Sequence, residues 1–197
     1  RWRRKVAPPR IPRFLETLVS VSADMECTVS VFKNGAVPPS SLWQSKFRFC
    51  VLDTQLGDGS DFWNLTQHWS SAKGESRELH YVALCGQRLE CPSPELEPVW
   101  PLPLPGHHHV LLPHEAHVRL SVVFGDANRA LENLAGIFDL ILLKQPDVRA
   151  SALARVSEHG TAIQTGFQND QTFAAIERSG FSLQRNASGF HGDFRAR

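Results

Sequence analysis

Apolar residues in this chain fall into short runs typical of buried strands, and these runs alternate with segments of helical spacing. Strands are predicted at 47–52, 79–84, 110–112, 118–124, 137–143 and 161–165, and a last strand begins at 181–183. Helices are predicted at 61–69, directly after Asp126, at 148–156 and at 168–179, the last followed by Gly180 as its C′ residue. Strands that alternate with helices form a parallel sheet with right-handed crossovers, so the pattern predicts an α/β fold.

The N-terminal part of the chain has a different pattern. Residues 14–22 and 28–32 alternate in strand fashion and are followed by a turn at 33–35, which predicts an N-terminal β element. Residues 1–13 carry six basic side chains, no acid and three prolines, which predicts an extended basic tail. This tail is either a solvated terminus or a contact for tRNA or another RNA, whose phosphates bind clustered Lys and Arg. We therefore divide the chain into a tail, 1–13, and a single domain, 14–197.

Composition places the chain among ordinary globular proteins, with 42% hydrophobic and 21% charged residues. No apolar run approaches the roughly 18 residues that a membrane helix needs, and no apolar segment of a secretory signal follows the basic start. The four cysteines show no CxxC spacing of a metal site. A reduced, cytoplasmic protein without a membrane segment is the expectation.

The end of the first predicted core strand carries the clearest candidate chemistry. Asp53 closes the apolar run, and Gly57 and Gly59 follow before the first helix. Glycines allow positive φ and a close approach of the backbone to a ligand, while the helix start offers free N–H groups. An acid at this place suits hydroxyls or an amino group better than a phosphate. The pattern therefore indicates a ligand crevice for S-adenosylmethionine rather than for a dinucleotide.

Five blocks of the sequence, in order, resemble the methyltransferase domain of MnmC, the bifunctional tRNA 5-methylaminomethyl-2-thiouridine biosynthesis protein. They lie at 32–43, 52–62, 79–82, 123–134 and 175–190, and a tryptophan-proline segment at 100–108 is similar to the family's entry to an added hairpin. The resemblance implies a class I S-adenosylmethionine-dependent, Rossmann-like methyltransferase fold with a hairpin inserted near 107–124. It also implies that Asp53, Gly57 and Gly59 line the cofactor site and that Asp126 faces the adenine.

The same resemblance implies a function. The family methylates an amine on the wobble-uridine side chain of certain tRNAs, often beside a fused flavin-dependent oxidase domain. A tRNA, and an oxidase domain or another assembly partner, are therefore the expected partners.

Three residues depart from the family's pattern, and all fall near the chemistry. Gln55 replaces a glycine of the tight turn, and Cys85 replaces the acid that would hold the ribose hydroxyls. Lys144 stands where the family has an acid that could orient or deprotonate the substrate amine, and it would lie close to a cationic sulfonium. The catalytic residue is therefore unknown. Two functions compete: a divergent tRNA methyltransferase, and an inactive pseudoenzyme that acts as a scaffold on a ribonucleoprotein or enzyme assembly.

Other candidate sites have simpler interpretations. His107 and His109 fall on one face of a strand and could share a metal ion, but no Asp or Cys stands close by, so a surface hairpin without metal is predicted. Asp126 is an expected helix N-cap whether or not it also contacts a cofactor. The aromatic residues of the first helix, including Phe62, fit a core face rather than a base-stacking platform.

Overall fold

The computed structural model describes residues 42–43, 45–71, 78–86, 90–102, 104–113, 115, 117–158, 160–165, 170–179, 181–186 and 189–194. The basic tail, the predicted N-terminal β element and the C′ residue Gly180 lie outside the described residues.

The strands are β1 (Arg48–Asp53), β2 (Glu78–Gly86), β3 (Gly106–Val110), β4 (Val118–Phe124), β5 (Leu140–Leu143), β6 (Ala162–Thr165), β7 (Phe181–Asn186) and β8 (Gly189–Phe194). The first six form one sheet in the order β3-β4-β2-β1-β5-β6. All neighbours in this sheet are parallel except β3, which is antiparallel to β4 at one edge. The sheet is thus the mostly parallel one that the alternating pattern predicts.

In the described part of the chain, four α-helices connect the strands: α1 (Ser60–Ser71), α2 (Ala127–Asn133), α3 (Ala150–Arg155) and α4 (Asp170–Arg178). A short 3-10 helix, Glu97–Val99, lies in the proline-rich segment before β3. The helix α1 covers one face of the sheet, because its Phe62 and Leu65 belong to the same buried cluster as Val51. The other helices cover the opposite face, where Leu131 of α2 joins a second cluster with Leu52. Alternate residues of β1 therefore point into two cores, as expected for a strand covered on both sides.

Three predicted elements differ from the structure. The run 137–143 forms a strand only at β5, and Ile137 is 43% exposed. The Asp139 side chain accepts a hydrogen bond from the Cys50 backbone N–H, which brings this polar residue to the strand's start. The first hairpin strand is β3, four residues earlier than the predicted 110–112, and Leu111 is 82% exposed. Finally, β7 and β8 form a separate antiparallel pair instead of continuing the parallel sheet.

Candidate functional site

The order of the strands creates a crevice at the carboxyl ends of β1 and β5. The chain moves from β1 to β2 on one side and returns to β5 on the other side of β1, so the connections diverge between these two strands. Ligands of open parallel sheets bind at such a reversal point. The residues that follow β1, β2, β4 and β5 are therefore the ones that can meet a ligand.

The turn after β1 is fixed by its backbone. Gly57 and Gly59 have φ of 65° and 80°, a conformation that L side chains rarely adopt. The N–H of Leu56 donates to the carbonyl of Leu84 at 3.1 Å, which ties the turn to β2. The N–H of Trp63 donates to the carbonyl of Gly59 at 3.0 Å as α1 begins. The sequence thus folds into the glycine turn and helix start that its pattern predicts.

Asp53 lies at the end of β1, directly before this turn. Its side chain is fully buried and accepts hydrogen bonds from the Tyr81 hydroxyl at 2.6 Å and from the Gln55 backbone N–H at 3.0 Å. The Lys144 ammonium is 2.8 Å from the same carboxylate and 2.6 Å from the Asp61 carboxylate. Four residues that are distant in the chain thus meet in one charge cluster, which we call the Asp53 cluster: Asp53, Asp61, Tyr81 and Lys144.

Thr54 holds Lys144 in this place. The buried Thr54 hydroxyl donates to the Leu142 carbonyl at 3.1 Å and accepts from the Lys144 backbone N–H at 2.9 Å. These two hydrogen bonds of the Thr54 side chain join the ends of β1 and β5, in addition to the backbone hydrogen bonds between the two strands. The hydrogen bond from the Lys144 backbone N–H to Thr54 holds the backbone from which the Lys144 side chain reaches the Asp53 carboxylate.

The pKa values of the cluster follow from burial and charge. Burial on its own lowers the pKa of Lys144, but the Asp53 and Asp61 carboxylates outweigh it and raise that pKa above its usual value. Burial raises the pKa of Asp53, and the nearby Lys144 ammonium opposes that shift. Burial and the neighbouring Asp53 carboxylate raise the pKa of Tyr81 well above its ordinary value. A lysine held between two carboxylates stays charged at neutral pH.

The raised pKa of Tyr81 predicts a loss of stability in alkaline solution. Tyr81 loses its proton near pH 10 when unfolded but keeps it when folded, so above pH 10 the unfolded state binds fewer protons. The free energy of unfolding should then fall by about 1.4 kcal/mol per pH unit from this group as pH rises toward the folded pKa. The Tyr81→Phe variant should show a shallower fall in urea unfolding between pH 9 and 11.

Tyr81 is the chain's single tyrosine, which gives a direct check. Tyrosinate absorbance should appear together with unfolding and not before it. Tyrosinate that formed in the folded protein near pH 10, or equal slopes for the two proteins, would contradict the prediction.

A cavity of about 200 Å³ opens above the turn, and we call it the β1–β2 cavity. Its wall includes Gly57 from the turn and Cys85 from the end of β2, two of the predicted site residues. Gln55 lines the wall and is an exposed residue, whereas Lys144 is directed into the Asp53 cluster. The full set of lining residues is Gln55, Leu56, Gly57, Cys85, Gly86, Glu90, Pro92, Trp100 and Gln145.

Asp126 lies in a neighbouring cavity of about 460 Å³ at the end of β4, which we call the β4 cavity. Its carboxylate accepts from the Arg129 backbone N–H at 2.8 Å, so the predicted N-cap of α2 is confirmed. The two cavities are neighbours, because the Gly125 N–H of one donates to the Gly86 carbonyl of the other at 2.8 Å. Gly59 lies outside both walls, and a Cβ there would stand 3.8 Å from Pro92.

Sequence reasoning missed two members of the Asp53 cluster. Asp61 stands in the first turn of α1, where an acid also has an ordinary role beside the helix dipole. Tyr81 sits in a predicted buried strand, and its hydroxyl needs a partner there. The requirement of a buried tyrosine hydroxyl for a hydrogen-bond partner was a signal present in the sequence. It does not identify Asp53 as that partner.

Comparison with known proteins supports the sequence resemblance. No family model matches the chain. The tRNA 5-methylaminomethyl-2-thiouridine biosynthesis bifunctional protein MnmC of Hydrogenovibrio crunogenus is 26% identical, over 70% of this chain and 24% of its own. That of Polaromonas sp. is 27% identical, over 90% of this chain and 32% of its own. The chain is similar to the MnmC proteins over most of its length. It spans between a quarter and a third of the length of these MnmC relatives.

A solved structure supports the fold. The crystal structure of MNMC2 from Aquifex aeolicus matches with a TM-score of 0.55 at 11% identity, over 78% of this chain and 55% of that chain. The predicted α/β, Rossmann-like, methyltransferase-like fold is confirmed. Within the MnmC resemblance, an acid was expected at position 144, and the structure shows how the lysine there is accommodated by two carboxylates.

Two negative findings concern the part of the chain that the structure describes. None of its helices is long and apolar enough to cross a membrane. Its His, Cys, Asp and Glu side chains form no group of three or more that could hold a metal ion. His107 and His109 have ring centroids 4.9 Å apart, and His109 Nδ1 is 3.0 Å from the Ser121 hydroxyl.

Proposed function

We propose that this chain binds S-adenosylmethionine across the β1–β2 and β4 cavities and acts as a methyltransferase in the modification of tRNA wobble uridine. The observation that carries the proposal is that the walls of the two cavities meet at the hydrogen bond between Gly125 and Gly86, with Gly57 of the glycine turn in the wall of the first cavity. Together they reach the size range of roughly 300–1,000 Å³ that is usual for small-molecule sites. The names of the MnmC relatives support a role in tRNA modification.

The charges of the site fit a cationic ligand better than the sequence indicates. Lys144 was expected to repel the sulfonium of the cofactor, but its ammonium is paired with Asp53 and Asp61. The Asp53 cluster therefore pairs this cation with two carboxyl side chains near the turn. The repulsion that the sequence predicts is offset, because the cation is neutralised within the protein.

The β4 cavity fits the adenine part of the ligand. Val123, Phe124 and Leu134 provide apolar wall, and Asp126 and Asn133 provide polar groups beside it. A flat heterocycle with an exocyclic amine needs both kinds of surface. Asp126 would accept from the amine, in addition to capping α2.

The chemistry places modest demands on the protein. When bound, S-adenosylmethionine supplies an activated methyl group, and an unprotonated amine can take it without a general base. The protein's contribution is then positioning and the exclusion of water. The Asp53 cluster holds the turn and the end of β5 rigidly for this purpose. The proposal also includes a contact between basic residues 1–13 and tRNA or another RNA. It further includes an oxidase domain as a partner and a cytoplasmic location.

A second candidate function rests on Lys144. An acid that could orient the substrate amine is expected at this position, and the lysine there is directed away toward Asp53 and Asp61. An inactive methyltransferase-like scaffold, attached to its assembly through residues 1–13, would need no such acid. Removal of residues 1–13 should abolish association in this case.

Calorimetric titration with S-adenosylmethionine tests the first proposal. We expect micromolar binding by the wild-type chain and at least tenfold weaker binding by the Asp126→Asn variant. Asparagine is as good an N-cap as aspartate, so this variant separates ligand contact from helix stability. Transfer of a labelled methyl group to tRNA that carries the unmethylated amine would then establish catalysis. An absence of binding heat, with intact association to an assembly, would support the scaffold instead.

A further inference from the structure

Glu90 is the one carboxylate among the described residues that line the β1–β2 cavity. It is exposed, and within the described part of the chain it has no hydrogen-bond or ion-pair partner. The remaining side chains of that wall with polar atoms are the Gln55 and Gln145 amides, the Cys85 thiol and the Trp100 indole. Glu90 is therefore an acceptor that faces the cavity without an internal role.

The segment that carries Glu90 is fixed on the protein. Leu96 is fully buried, and Trp63 Nε1 donates to the Ser93 hydroxyl at 3.1 Å. The Trp100 ring meets the Phe124 ring edge-on, with centroids 6.0 Å apart. These anchors lie within ten residues of Glu90, so its backbone has a defined place over the cavity.

The end of β2 lacks the acid that a Rossmann-like site uses for sugar hydroxyls. In such sheets a carboxylate near the end of the second strand accepts from the ribose. Here that place has Cys85, a weak hydrogen-bond partner, followed by Gly86, which ends β2 with a φ of 60°. A carboxylate can accept from two vicinal hydroxyls, which a thiol cannot do well.

We propose that Glu90 accepts the ribose hydroxyls of the adenosyl ligand and replaces the missing strand-end acid. This inference rests on the proposed function. It gives the ligand a third polar contact, between the turn at Gly57 and the acid at Asp126. The cavity wall thus keeps a ribose site although the strand end has lost its carboxylate.

Binding of S-adenosylhomocysteine to Glu90→Gln tests the inference, because this ligand has the ribose but no sulfonium charge. We expect binding to weaken about ten- to a hundredfold, the usual effect of losing hydrogen bonds to a charged acceptor. The 2′,3′-dideoxy analogue should bind wild type and variant equally. Glu95→Gln, on the same segment but off the cavity wall, is the matched control and should leave binding unchanged.

A rescue variant strengthens the test. Adding Cys85→Asp to Glu90→Gln should restore binding to within about threefold of wild type, since it returns a carboxylate to the same cavity. Thermal unfolding of each variant checks that the fold is retained. If wild type binds and Glu90→Gln binds equally well, the role of Glu90 is refuted while the proposed function stands. If wild type does not bind at all, both are refuted.

Discussion

Replacing Lys144 by Met is expected to lower the free energy of unfolding by about 3–5 kcal/mol. The change leaves the Asp53 carboxylate fully buried without its counter-ion, and only the Tyr81 hydroxyl and one backbone N–H remain to stabilise it. Asp61 is 17% exposed at its side chain and can be hydrated, so most of the loss comes from Asp53. Urea unfolding followed by tryptophan fluorescence measures the effect.

Two comparisons make this result specific. Arg149→Met removes a cation from a surface ion pair with Glu132, whose side chains are 65% and 46% exposed, and should cost less than about 1 kcal/mol. Adding Asp53→Asn to Lys144→Met should recover part of the stability, because it removes the unpaired charge. A loss below about 1 kcal/mol for Lys144→Met, or no recovery in the double variant, would show that the ion pair is not what keeps Asp53 buried.

Replacing Phe62 by Ala is expected to cost about 3–5 kcal/mol. Phe62 is fully buried on α1, and its ring contacts the Tyr81 ring edge-on with centroids 5.1 Å apart. The substitution removes this aromatic contact and leaves a cavity between α1 and β2. Because Tyr81 donates to Asp53, the change should also disturb the site above it.

Phe47→Ala is the matched control, since the same atoms are removed from a side chain that is 64% exposed. Its cost in the same urea experiment should stay within about 0.5 kcal/mol. Comparable losses for both variants would contradict the assignment of Phe62 to the core. The interpretation of 61–69 as a core face would then fail as well.

Much of the fold follows from local pattern. The predicted strand at 47–52 and the helix at 61–69 agree with β1 and α1 to within two residues at each boundary, because their apolar spacing matches one structure only. The start of β5 and the bounds of β3 were less predictable. Ile137, before β5, and Leu111, after β3, are apolar but exposed, so hydrophobicity alone does not set these strand boundaries.

The candidate site was predictable in outline but not in its contacts. The rule for carboxyl ends of parallel strands brings Gly57 and Cys85 to one cavity, as the structure shows. The pairing of Lys144 with Asp53 joins residues 91 positions apart, and no local spacing encodes it. Sequence reasoning treated the lysine by itself and so inferred a repulsive charge. The carboxylates that pair with Lys144 can be identified only once β5 is known to lie beside β1.

The bond between Lys144 and its two carboxylates also constrains how this protein can change over evolution. Exchanging Lys144 alone for an acid would place three carboxylates together beside a buried tyrosine, which is strongly unfavourable. A neutral residue at Asp61 would have to come first, or in the same step. A viable lineage would therefore not acquire an acid at position 144 before position 61 has changed.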